Sequence, residues 1–276
     1  MFGQGRITRI AHLSDVHTLE PSKQAYGWGL KFVSIHRPLD ASGRLRKLAR
    51  SLAAARQSGA DHVVISGDLT EMGTDAQFAA FAEVLDASGI DPERVTLVPG
   101  NHDAYTSGSG WSRALEGPLA AYAKSSAHAP GHVVDREGIV FLPLDTSVYQ
   151  NVAFSGGRLT DEAVRALGER IGDPAFRGKT VVIAMHHPPF LHARRVWQYV
   201  DGLRGAARLM DLLVKNPQVQ LLHGHVHRTL DRIIGGLGRH RVFGAPATVD
   251  DADGRPRVRL YDVTDGAIES AGLFAT

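Results

Sequence analysis

The apolar positions of this chain fall into two kinds of pattern. Short, mainly apolar runs at residues 7–13, 62–65, 95–98, 139–144, 180–185, 219–223 and 242–245 have the length and composition of strands. Between them lie amphipathic stretches with helical spacing. Leu45, Leu48 and Leu52 share one face of a helix over 45–55, and Phe78, Phe81 and Leu85 share one face of another over 78–85. Asp40 or Ser42 offers an N-cap to the first. Further helices are expected at 161–171 and 202–215, the last with Leu203, Ala207, Met210 and Val214 as its buried stripe. In the tail, 258–273, Asp265-Gly266 between apolar runs signals a hairpin. This alternation predicts an α/β fold in which two sheets stack and helices cover both outer faces. No repeat or low-complexity linker divides residues 1–276, so one domain is expected.

Charge changes this picture little. Lys+Arg 31 against Asp+Glu 29 leaves a net charge of +2, and no basic block points to nucleic acid, so none is expected as a partner. The absence of cysteine excludes disulfides, thiolate catalysis and Cys-ligated zinc, and fits a reducing compartment. Residues 1–9 lack the charged start and apolar core of a secretory signal. No apolar run approaches the ~18 residues of a membrane span. The expectation is a soluble, cytoplasmic protein, with peripheral membrane contact and homo-oligomerisation left open. Histidine is the outlier, at 14 residues.

These histidines, with Asp and Asn, concentrate just after the predicted strands. Run 7–13 leads to Asp15-Val16-His17, run 62–65 to Gly67-Asp68, and run 95–98 to Gly100-Asn101-His102-Asp103. Run 180–185 leads to His186-His187, and run 219–223 to Gly224-His225-Val226-His227. Loops at one edge of an α/β sheet gather into a site, and side chains two apart on an extended turn can aim at one ion. A single Asp-x-His arises often by chance. Five such clusters in order do not.

The ordered set D-x-H, G-D, G-N-H-D, H and G-H-x-H, spanning Asp15 to His227, resembles the signature of the calcineurin-like metallophosphoesterase superfamily. Bacterial class III cyclic-nucleotide phosphodiesterases and glycerophosphodiesterase-like relatives are the most similar branches. The resemblance implies a four-layer α/β/β/α sandwich of two mixed sheets flanked by helices. It implies two divalent metals, of Mn, Fe or Zn type, with Asp15, His17 and His227 on one, Asn101, His186 and His225 on the other, and Asp68 between them. His186 is preferred to His187 because it directly follows the strand, whereas His187 leads into Pro188-Pro189. Cations roughly 3.5–4 Å apart activate a bridging hydroxide for in-line attack on phosphorus. The resemblance also implies that His102 serves the leaving oxygen, with Asp103 fixing its ring.

The expected activity is a dinuclear metallophosphoesterase, a phosphoric diester hydrolase acting on a small phosphoester of cyclic-nucleotide or glycerophosphodiester type. Segment 18–39, long for a connection, resembles a substrate insertion. It raises a second reading, a pyrophosphohydrolase for a nucleotide-linked lipid such as UDP-diacylglucosamine. A non-catalytic metal-binding scaffold is the reading of a different class.

Around the blocks, His12 and His223 are expected to back the ligands or pack the core, and His62 to pack or meet solvent. Glu71 either orients a ligand or begins a helix. Tyr26, Trp28, Phe32, His36 and Arg37, then Tyr105 and Trp111, then Phe190, Arg194, Arg195, Trp197 and Tyr199 occupy the loops between blocks. There they suit a phosphate with a flat base, a lipid headgroup, a partner surface or plain packing.

Overall fold

The computed structural model describes residues 6–21, 28–35, 37–235, 240–251, 253–264 and 266–274. Tyr26, His36 and Asp265, and the side chains of Trp28 and His240, lie outside the described residues. The first half of the chain runs β1 (Arg9–Leu13), α1 (Trp28–Val33), α2 (Ala41–Gln57), β2 (His62–Ser66), α3 (Asp75–Ala87), β3 (Val95–Val98) and α4 (Gly110–Glu116). Then come β4 (Val134–Arg136), β5 (Ile139–Pro143), β6 (Gly157–Arg158), α5 (Asp161–Ile171), β7 (Thr180–Ala184), α6 (Arg195–Val200) and β8 (Leu203–Arg204). The last elements are α7 (Ala206–Lys215), β9 (Val219–His223), β10 (Leu230–Ile233), β11 (His240–Gly244), β12 (Arg259–Thr264) and β13 (Ala267–Leu273).

One sheet has the order β13-β12-β1-β2-β3 and the other β10-β11-β9-β7-β5-β4. The central strands of each run parallel, while β12 and β13 in the first and β10 and β4 in the second pair antiparallel. Side chains alternate across a strand, so β2 sends Val63 and Ile65 outward to helices and Val64 inward to the other sheet. In the same way β7 sends Val181 and Ile183 outward and Val182 and Ala184 inward. Strands covered on both faces are largely apolar, which is why they read as apolar runs with few polar interruptions, among them His62 and Gln220. The resulting three cores define the four-layer α/β/β/α sandwich.

The helices begin where a side chain can satisfy their free N–H groups. Asp40 accepts from Gly43 N at the head of α2, Thr74 from Gln77 N at α3, and Thr160 from Ala163 N at α5. Leu48 and Leu52 of α2 and Phe78, Phe81 and Leu85 of α3 are fully buried against the first sheet.

The last helix departs from its expected phase. Leu203 lies on β8, and Gly205 at φ 96° breaks the backbone before α7 begins at Ala206. The buried stripe is therefore Ala206, Leu209 and Leu213, with Ala207 and Val214 exposed.

Between the sheets His62 stacks on Phe141 with centroids 4.4 Å apart and bonds Thr96 Oγ1 at 2.9 Å. Burial, and after it the charges of Arg136 and Arg94, push its pKa down to about 3. Among the described residues no helix is long and apolar enough to cross a membrane.

Candidate dinuclear metal centre

The five motif blocks leave the C-terminal ends of the parallel strands β1, β2, β3, β7 and β9, and so meet at one edge of the sandwich. The backbone there is unusual. Among the described residues the non-glycine positions with positive φ are Asp15 (53°), His17 (53°), Asp68 (50°), His225 (70°) and His227 (54°). Each is a predicted ligand. A left-handed residue costs about 1–2 kcal/mol and persists where its surroundings over-determine it. Those surroundings are visible: Asp15 N donates to Gly67 O, Val16 N and His17 N to Asp68 O, and Thr18 N to Leu69 O. His225 N reaches across to Asp15 Oδ2 at 3.1 Å. The motif glycines follow from the same crowding. A Cβ at Gly67 would overlap the His186 ring, and one at Gly100 would overlap the Asp68 backbone and carboxylate.

Two groups of side chains converge. In the first, ligand atoms of Asp15, His17 and His227 lie within 4.8 Å of one another, with Asp15 Oδ1 3.3 Å from His227 Nε2. In the second, His186 Nε2 is 3.2 Å from both Asp68 Oδ2 and Asn101 Oδ1, and the rings of His186 and His225 are 5.2 Å apart. Asp68 Oδ2 also lies 3.7 Å from His17 Nε2. That carboxylate therefore faces both groups.

The far nitrogens of the histidines show which nitrogen is free, because a carbonyl or carboxylate can only accept. His186 Nδ1 donates to Ser66 O at 2.8 Å, leaving Nε2 toward Asp68. His225 Nε2 donates to Asp201, with the backbone oxygen at 3.0 Å and Oδ1 at 3.1 Å, leaving Nδ1. His227 Nδ1 donates to Asp250 Oδ2 at 3.1 Å, leaving Nε2. His187 has both nitrogens engaged, Nδ1 with Thr146 Oγ1 at 2.8 Å and Nε2 with Ser155 O at 3.0 Å. The adjacent pair thus differs in what each ring can still bind.

Asp201 and Asp250 were invisible in the sequence, where each is an ordinary acid outside the motif blocks. Asn101 gained an orienting partner the same way: its Nδ2 donates to Tyr105 OH at 2.8 Å, which turns Oδ1 toward His186. Trp111 is not a rim residue, for it is buried in the outer core with Nε1 donating to Ala127 O at 2.6 Å. His12 and His223 are fully buried beside the site, His12 bonding Ser66 Oγ at 2.7 Å.

The expected His102–Asp103 contact is not formed. Successive residues of the 3₁₀ turn His102–Ala104 point about 120° apart, so the two side chains diverge. Asp103 accepts instead from Leu69 N (3.0 Å), Thr70 N (2.8 Å), Thr70 Oγ1 (2.7 Å) and Gly100 N (2.8 Å), clamping the loops after β2 and β3 together. His102 Nδ1 donates to the Glu71 carbonyl at 2.8 Å.

Glu71 precedes α3 rather than opening it. Its buried carboxylate pairs with Arg44 and with Arg37 (2.7 Å), and its oxygens lie 3.5 Å from Nδ1 of both His17 and His102.

Asp15 Oδ1 and both nitrogens of His17 are buried without a hydrogen-bond partner, a costly state for polar atoms. Burial opposes a charge on His186 and His227, yet Asp68 raises the first to about 9 and Asp15 raises the second to about 10. The carboxylates therefore demand positive charge at the positions a cation would take, and metal uptake there would displace protons. An N/O donor set of this kind fits divalent Mn, Fe, Zn or Co.

A stacked-sheet sandwich carrying two such ligand groups at its strand exits defines a dimetal phosphoesterase. Residues 8–229 match the model of the calcineurin-like phosphoesterase family, and the chain belongs to that family of enzymes. It is 26% identical over 219 residues to the glycerophosphodiester phosphodiesterase GpdQ of Enterobacter lignolyticus, covering 79% of this chain and 70% of that one. It is 25% identical over 230 residues to a probable cyclic nucleotide phosphodiesterase of Synechococcus sp., covering 81% of each. A crystal structure of a dimetal phosphatase from Danio rerio shares the fold with a TM-score of 0.69 at 13% identity, covering 98% of this chain and 97% of that one. The crystal structure of TT1561 of Thermus thermophilus does so with a TM-score of 0.57 at 13% identity, covering 96% and 99%.

Proposed function

We propose that this chain is a metal-dependent phosphodiesterase acting on a small phosphodiester of glycerophosphodiester or cyclic-nucleotide type. The observation that carries this reading is the convergence of the two ligand groups on the shared carboxylate of Asp68. The names of the relatives support diesters over monoesters. In this reading Asp15, His17 and His227 hold one ion, Asn101, His186 and His225 the other, and Asp68 both. Bound there, such ions would supply charge to the phosphate oxygens and lower the pKa of water.

The chain's own residues do the rest. His102, anchored through Nδ1 on the Glu71 carbonyl, presents Nε2 at the site, 4.0 Å from Asp68 Oδ2. From there its imidazolium can hand a proton to the leaving alkoxide. Burial lowers the pKa of that ring, while Asp68 and then the Glu71 carboxylate, 3.5 Å from Nδ1, favour its charged form. Asp103 holds the loop that carries Asn101 and His102. A second reading, hydrolysis of a pyrophosphate in a nucleotide-linked lipid, follows from the length of segment 18–39 between two motif blocks.

The test is turnover of bis(p-nitrophenyl) phosphate that is lost on chelation and restored by Mn. It is run beside a phosphomonoester, a cyclic nucleotide, a glycerophosphodiester and a UDP-linked lipid. Turnover highest on diesters is expected. Absence of metal-dependent turnover on all of them would refute the proposal, and preference for the UDP-linked lipid would select the second reading.

A further inference from the structure

The ligand groups are buried or half-buried, but the ground beside them is not. Leu191, Val196, Trp197 and Tyr199 are each more than half exposed on residues 191–199, which lead through α6 to Asp201, the partner of His225. Single exposed apolar residues are ordinary; four on one short segment mark a surface that meets something. Arg194 and Arg195 are exposed among them, and residues 188–200 contain no acidic side chain. The segment is nevertheless tied at its base. Gln198 accepts from His192 N at 2.7 Å and donates to Leu203 O at 2.7 Å, and Asp201 Oδ1 accepts from Ser155 Oγ at 2.6 Å. Near the other ligand group, Phe32 and Ile35 are exposed just ahead of Arg37, the partner of Glu71.

We propose that residues 191–199 dock the mouth of the site on an anionic phospholipid interface, and that the substrate is a phosphodiester presented there. Two arguments select this occupant over a protein. Trp, Tyr and Leu beside Arg, without acids, complement a layer that is apolar beneath and negatively charged at its surface. The headgroup of a glycerophospholipid is itself a phosphodiester, so a single occupant satisfies both the surface and the chemistry. The reaction is hydrolysis: a water oxygen bonds to phosphorus, one ester P–O bond breaks, and the released alkoxide takes up a proton to give an alcohol and a phosphomonoester. This inference rests on the phosphodiesterase reading for its substrate but not for its docking.

The experiment floats the Mn-loaded full chain with vesicles of phosphatidylcholine alone or mixed with phosphatidylglycerol, and follows release from the lipid headgroup. Binding to the mixed vesicles, weakened by salt, is expected. The triple variant Arg194→Gln/Arg195→Gln/Trp197→Ala is expected to bind them about 10-fold or more weakly and to hydrolyse the vesicle lipid correspondingly less. Its turnover of bis(p-nitrophenyl) phosphate in solution should stay within about twofold of the parent, which also shows that it folds. Equal flotation with both vesicle types, or equal flotation of parent and variant, would overturn the proposal. So would a dimer of the parent that the variant dissolves without any vesicle binding, since the face would then join two copies. Hydrolysis of the soluble diester without flotation defeats this inference alone. Flotation without hydrolysis of any diester defeats the phosphodiesterase reading and the substrate named here.

Discussion

His225 and Trp197 both bond Asp201, one through its ring and the other through its backbone carbonyl, and are built in opposite ways. His225 has a left-handed backbone, one ring nitrogen held by Asp201 and a backbone N–H held by Asp15. Trp197 stands more than half exposed on a helix of six residues. The same contrast separates the site's floor from its rim. Floor residues are fixed from several directions at once, so their strain is sustained and their geometry cannot drift. Rim residues have few contacts to satisfy, so the rim can vary to suit a substrate without disturbing the metals.

If this contrast is right, substitutions should lose effect steadily from floor to rim. Asp68→Ala sits at the centre and should cost the most. Both metals are expected to be lost in elemental analysis, with turnover reduced beyond the level of any variant that keeps them. His102→Ala should retain its metals while turnover falls about 10²–10⁴-fold, more for poor leaving groups than for p-nitrophenolate; equal losses for both would argue against proton donation. Asp201→Ala, one bond further out, should weaken metal binding about 10–100-fold in a competition titration. An unchanged affinity would show that the floor does not depend on its outer partners. On the outer surface, Tyr149→Ser alters an exposed side chain and should leave turnover of a soluble diester within about twofold, since such changes seldom disturb the fold by more than about 0.5 kcal/mol.

A different kind of test separates the sheet interior from the site. His62 is neutral in the fold, with a pKa near 3 against an ordinary 6.5. Unfolding lets it bind a proton, so its contribution to stability is intact above 6.5 and falls as the pH drops toward 3, by about 1.4 kcal/mol per unit at most. His62→Gln should therefore flatten the acid limb of a urea-unfolding series. An unchanged slope would move that burden to the other buried histidines.

The strands and principal helices were legible because they obey local rules. Runs such as 139–144 are apolar throughout because both faces are covered, and Asp40 caps α2 as its chemistry suggests. Segment 202–215 was misphased because Gly205 restarts the backbone there, and no periodicity carries across such a break. The resemblance implies Asp103 behind the His102 ring, but the turn's geometry sends the two apart.

By itself, then, the sequence determined the layered architecture and the identity of the candidate ligands, because hydrophobic period and donor chemistry are properties of residues and their spacing. Only the tertiary structure decided which nitrogen of each histidine faces inward, that Glu71 and not Asp103 anchors His102, and that Asp201 and Asp250 stand behind His225 and His227. Those depend on contacts between groups as far apart as Asp15 and His225. Such contacts exist only once the two sheets have closed on one another.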